Sequence, residues 1–153
     1  RHTTDESTYN NMLAFDASTA VTISNALTVT KDTGISVTGN LTASGSVIGG
    51  ADTVSGDGAG TDAISLNSDV TFLNTSGGTS ALTLATGTDG QVKIITMEVA
   101  GNAATLTQAN GNLVASQVST SIVFDAVGES ATLVYSASLS KWIVVHSTGA
   151  TIS

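Results

Sequence analysis

The residues that could do chemistry in this 153-residue chain are few: two histidines, twelve carboxylates, four cations and many hydroxyls, with no cysteine. General acid–base catalysis needs ionisable groups that converge. His2 sits at the very start of the chain, and His146 lies in KWIVVHS beside a tryptophan, with no acid or second base nearby in sequence. A serine nucleophile has no GxSxG elbow to hold it. Serine and threonine supply 45 of the 153 residues, so a Ser, His, Asp trio has no diagnostic weight. Asp52, Asp57 and Asp62 stand in a glycine setting and offer oxygen ligands for calcium. They lack the DxDxDG spacing and closing glutamate of a recognised loop. Asn40–Thr42 and Asn74–Ser76 fit the glycosylation triplet, which arises by chance in so hydroxyl-rich a chain. The reading is a non-enzyme with no catalytic residue, no metal site and no cofactor.

Charge narrows the partners. With a net charge of −8 and only Arg1, Lys31, Lys93 and Lys141 as cations, no basic face can be assembled to neutralise phosphates, so nucleic acid is not expected. No apolar run reaches the ~18 residues of a membrane-spanning helix. No secretion-signal layout stands near the start, and a chain opening on Arg1 is expected to have been processed or trimmed. Only 10% of residues are charged, yet 41% are hydrophobic, a balance that predicts a folded chain with a hydroxyl-rich surface. Eight of the carboxylates precede Val70 and four follow it, so the first half is the more acidic.

The elements that would carry any site are strands. STYNNMLAF is the best helical stretch, one short turn capped by Ser7. From Val21 the period is two: Val21 and Ile23, Leu27 and Val29, then Ile35, Val37 and Leu41, with glycine breaks between. No aromatic lies between Phe15 and Phe72, so residues 1–50 cannot bury enough apolar area alone and read as an extended arm with short β segments. Residues 51–61 are glycine-rich and read as a linker. Residues 62–153 hold Phe72, Phe124, Tyr135 and Trp142 and a series of candidate strands: AISLN, DVTFLN, SALTLA, QVKIITMEVA, AATLTQ, NLVASQ, TSIVFDA, SATLVYSA and KWIVVHS. The expected fold is all-β, an antiparallel β-sandwich or jelly-roll-like domain. Gly77 with Gly78, Asp89 with Gly90, Gly101 with Asn102, and Asn110 with Gly111 read as hairpin turns.

Two strands are apolar on both faces. In KWIVVHS, Trp142, Val144 and His146 share one parity and Ile143 and Val145 the other; in QVKIITMEVA, Val92 and Ile94 oppose Ile95, Met97 and Val99. One face suits a core and the other a subunit interface; a bulge near Ile94 is the alternative for the second strand. Phe72, Leu82, Leu84, Ile94, Phe124, Leu133, Tyr135, Trp142 and Val144 are the expected core or interface residues.

The stretch TDAISLNSDVTFLNTSGGTSALTLATGTDGQVKIITMEVAGNAATLT, continued by SIVFDAVGESATLVYSASLSKWIVV, resembles β-rich virion proteins of tailed bacteriophages, particularly those of marine and cyanobacterial hosts. The likeness covers about 90 residues. VTGNLTASGSV is similar in composition to segments that precede the heads of phage fibres. The resemblance implies a virion structural protein on the particle surface, most simply a head decoration or cement protein that binds the major capsid protein and stabilises the shell as a homo-oligomer, expected to be a trimer. A short fibre or receptor-binding adhesin that recognises cell-surface glycan is the alternative, and would need exposed aromatic rings.

Overall fold

The computed structural model describes residues 48–153. The short helix at STYNNMLAF, the strands between Val21 and Leu41 and most of the expected arm fall outside them. Within the described residues the chain is all-β: β1 (Ala51–Ser55), β2 (Thr61–Ile64), β3 (Val70–Asn74), β4 (Ser80–Leu84), β5 (Val92–Val99), β6 (Ala104–Thr107), β7 (Ser121–Phe124), β8 (Ser130–Ser136), β9 (Lys141–Thr148) and β10 (Thr151–Ile152). They form two five-stranded sheets, β1-β3-β5-β8-β9 (sheet A) and β10-β7-β6-β4-β2 (sheet B), which enclose one core as a β-sandwich.

The first six strands alternate between the sheets, so each returning strand lies parallel to the one two before it. Ala51 is beside Val70 and Val70 beside Ile94; Thr61 is beside Ala81 and Ala81 beside Thr105. The last four strands run antiparallel to their neighbours. The sheets are therefore mixed rather than wholly antiparallel. This also changes the role of the glycine pairs. Gly77 with Gly78, and Gly101 with Asn102, are corners that carry the chain across the core from sheet A to sheet B, and Gly90 lies on the return crossing from β4 to β5. A hairpin and a corner both need small residues, so composition alone does not separate them.

The corners stack tightly. A Cβ on Gly78 would stand 2.6 Å from the backbone of Asp57 and Gly58, and one on Gly56 would stand 2.6 Å from the Gly78 carbonyl. The Thr75 hydroxyl ties the next layer by donating to the Asn102 carbonyl (2.6 Å) and accepting from the Gly101 and Asn102 amides (3.2 Å each). The stretch 51–61, expected as a linker, is thus β1, the first corner and the first residue of β2. Its alternating Asp52 and Val54 pair with β3, and its glycines serve close approach and positive φ rather than slack.

Inward positions follow strict alternation: Leu73 on β3, Leu82 and Leu84 on β4, Ile95 and Met97 on β5, Leu106 on β6, Ile122 and Phe124 on β7, and Leu133 and Tyr135 on β8, all buried. NLVASQ, expected as a strand, is a loop. Its buried Leu113, with Val118 beyond it, plugs the core beside β9, where Leu113 makes a single bridge to Trp142. Among the described residues no buried side-chain nitrogen or oxygen lacks a hydrogen-bond partner.

Candidate functional site

Sheet A has an apolar outer face as well as an apolar inner one. Because the inward residues of β3, β5 and β8 are fixed by the core, their neighbours must point away from it. Register then sets these outward residues in rows. Val92, Val134 and Ile143 form one; Val70, Ile94, Thr132 and His146 the next; Phe72, Thr96, Ser130 and Thr148 a third. Val70, Phe72, Val92, Ile94, Val134 and Ile143 make one apolar surface across four strands, and none of them packs against the core. Val92 is 44% exposed and Val145, the extra residue of a bulge in β9, is 54% exposed. The bulge in sheet A otherwise lies beyond Met97, not at Ile94, and it turns Val99 outward.

The outer face of sheet B is different. By the same register its outward residues are Thr61 and Ala63, Ala81 and Thr83, Thr105 and Thr107, then Val123 and Thr151. Small and hydroxylated, they suit contact with water. These three rows on sheet A carry no carboxylate, although the chain as a whole has a net charge of −8; Glu98, outward and exposed, stands past them at the bulge that ends β5. A large apolar sheet surface, opposite a threonine-rich one, is the kind of surface that marks an interaction site.

The titratable residues are dispersed. His146 is exposed on β9 and shares a 2.9 Å hydrogen bond with Thr148. Among the described residues no three of His, Cys, Asp or Glu come together as a metal site would require. Asp52 and Asp62 face inward on β1 and β2. Asp52 accepts from the Thr71 hydroxyl (2.7 Å), Asp62 accepts from the Ser80 hydroxyl (2.5 Å), and Asp57 closes a turn by accepting from the Ala59 amide (2.8 Å). These contacts give each of the three acids a separate structural task. Asn74 similarly spends its side-chain oxygen on the Ser76 amide and hydroxyl.

Lys93 is the least expected group. It shares the inward parity of Ile95 and Met97 and is fully enclosed, with Nζ donating to the Ser65 and Ser68 carbonyls (2.8 and 2.7 Å) and standing 3.6 Å from Asp52. Burial strips water from the ammonium and pushes its pKa below the ordinary lysine value, and the nearby Asp52 and Asp69 charges pull it partly back. Its donors are matched by acceptors on the β2–β3 connection and on β1, so it works as an anchor for that end of the sandwich. The signal was the parity itself: a lysine on the core side of a strand must find partners inside.

Of the residues expected in core or interface, Leu82, Leu84, Phe124, Leu133, Tyr135 and Trp142 are buried and Val144 packs partly against them. Phe72 and Ile94 lie outward on sheet A. Trp142 and Tyr135 meet edge to face, ring centres 5.3 Å apart at 68°, and the indole N–H donates to the Ala85 carbonyl (2.9 Å). With 0% and 4% exposure, neither ring is open to a sugar. Val70 and Val134 complete the outer face; Val70 follows Asp69, and Val134 has only Thr132 and Ser136 beside it on the outward parity, so neither strand read alone shows a second apolar face.

No protein-family model matches this chain, and no curated protein matches it. Among solved structures, one described as "Structure of a chaperone-substrate complex" is similar over 64% of this chain, at 18% identity and a TM-score of 0.45. The matched region spans 18% of that chain, and a likeness this slight carries no argument.

Proposed function

We propose that this chain is a non-enzymatic structural protein of a tailed-phage particle, a head decoration or cement protein that binds the shell and braces it as a homo-oligomer. The observation that carries the reading is the apolar surface of Val70, Phe72, Val92, Ile94, Val134 and Ile143 on the outer face of sheet A. It is a surface built to be covered by protein, on a frame in which Asp52, Asp62 and the buried Lys93 are engaged in holding the fold. The resemblance of residues 61–145 to β-rich virion proteins supplies the setting. The enclosed Trp142 and Tyr135 favour a structural role over glycan stacking, since a sugar-binding ring must present its face to solvent.

The test is a particle that lacks the protein. Such particles should assemble but lose integrity at lower temperature or lower salt, and adding the purified chain back should restore them. Particles equally robust without it, yet unable to attach to cells, would overturn the decoration role in favour of a receptor-binding one.

A further inference from the structure

We infer that the outer face of sheet A is covered by further copies of this same chain. The inference rests on the structural-subunit reading above and names the occupant of that face.

Charge selects the occupant. A chain of net charge −8 repels its own copies over most of its surface, and only four cations are present to offset this. On sheet A the three outward rows hold Val, Ile, Phe, Thr, Ser and His but no carboxylate, and the outward acid of β5, Glu98, lies past them at the bulge, so two copies can meet over the rows without bringing acids together. A partner of a different kind, recruited by a chain this acidic, would be expected to meet it through a basic surface on clustered acidic residues, and the three rows hold none.

Size agrees. Five strands spaced ~4.8 Å apart, with five to eight residues each at ~3.3 Å, present on the order of 500 Å² of flat area before side-chain relief is counted. That is of the order of the ~800 Å² per partner of a standard interface. Two such faces would stack ~10 Å apart, the usual spacing of packed sheets. Ile94, on the central strand β5 and in the middle of the three rows, lies at the centre of the patch, where side chains are desolvated most completely.

The experiment compares full-length chains by light scattering and sedimentation at micromolar concentration. The unmodified chain should run as a closed assembly of two or three copies. Ile94→Glu, which places an acid at the centre of the face, should weaken association at least 100-fold and give monomers. Thr105→Glu, at a matching half-buried position on the outer face of sheet B, should leave the assembly intact. If Ile94→Glu does not fold, Val134→Thr combined with Ile143→Thr tests the same face more gently and should also give monomers. An unmodified chain that stays monomeric at 100 µM, or a folded face variant that keeps the full assembly, would overturn the inference. The two readings separate in the particle assay. A monomeric chain that still restores particles through this face would sink self-association alone. An assembly that depends on the face but never restores particles would sink the decoration reading alone.

Discussion

Trp142→Ala should cost about 4 kcal/mol of folding stability, and the structure shows where that comes from. The indole has no exposed surface; it packs edge to face on Tyr135 and lies against Gly87, where an added Cβ would come within 2.6 Å of the ring. Truncating a buried tryptophan costs ~3–5 kcal/mol through lost transfer energy and the cavity left behind, and the aromatic pairing contributes ~0.5–1.5 kcal/mol of its own. The lost hydrogen bond to the Ala85 carbonyl adds little, because Ala85 is exposed and water can replace the indole. For a unit of roughly a hundred residues, ~4 °C of melting temperature accompanies each kcal/mol, so the midpoint should fall by about 15 °C. Trp142→Phe keeps a ring in place and should lose about half as much. Thermal and urea unfolding, followed by circular dichroism, measure both. A midpoint for Trp142→Ala within a few degrees of the unmodified chain would refute the reasoning, because a ring that can be removed so cheaply is not part of the core.

Two further outcomes follow from particular contacts. Because burial lowers the Lys93 pKa, there is a window below 10.5 in which the unfolded chain holds a proton that the folded chain has released, so this residue makes stability rise with pH across the window and adds no slope below it. Lys93→Met should remove that rise from urea-unfolding free energies measured between pH 8 and 11; an identical rise in the variant would show that other groups cause it. Gly78→Ala should cost ~1–3 kcal/mol, since its Cβ meets backbone that cannot step aside, whereas Gly90→Ala meets nothing within 4 Å and pays only ~1 kcal/mol for its positive φ. Equal melting temperatures for the two variants would contradict the stacked-corner geometry.

Alternation placed most of the strands and the fold class in advance, and it revealed that KWIVVHS and QVKIITMEVA are apolar on both faces. What it could not convey is which sheet a strand joins or in which direction. A period of two marks the faces of a strand and is the same for parallel and antiparallel neighbours. The residues from Ala51 to Gly60 looked like a linker because seven of the ten are polar or glycine. Yet Val54 is buried against the core and the glycines are demanded by the corner. NLVASQ failed in the opposite sense. Leu113 and Val118 are buried as strand residues would be, but the chain between them turns, and only one bridge to β9 forms. The outer face emerged only in part, since Val70 and Val134 join Ile94 and Ile143 through register between strands, which no single stretch of sequence records.

The edges of the sheets explain why copies should meet through a face rather than by adding strands. A free strand edge invites pairing with another chain unless it is covered or blunted. On β9, the Asn112 carbonyl and Val114 amide take the hydrogen bonds of Trp142, while the Gln117 side chain accepts from the Val144 amide (2.9 Å) and donates to its carbonyl (3.0 Å), so one amide group stands in for a neighbouring strand. At the opposite edge, β1 and β2 are only five and four residues long, and each turns an acid, Asp52 or Asp62, toward the interior. Inward acids at an edge penalise any strand that would bury them further, and here they are already committed to Thr71, Lys93 and Ser80. With both edges of sheet A managed in this way, its broad apolar surface is the outer face. Association there leaves every ladder intact, so the sandwich can join an assembly without first opening.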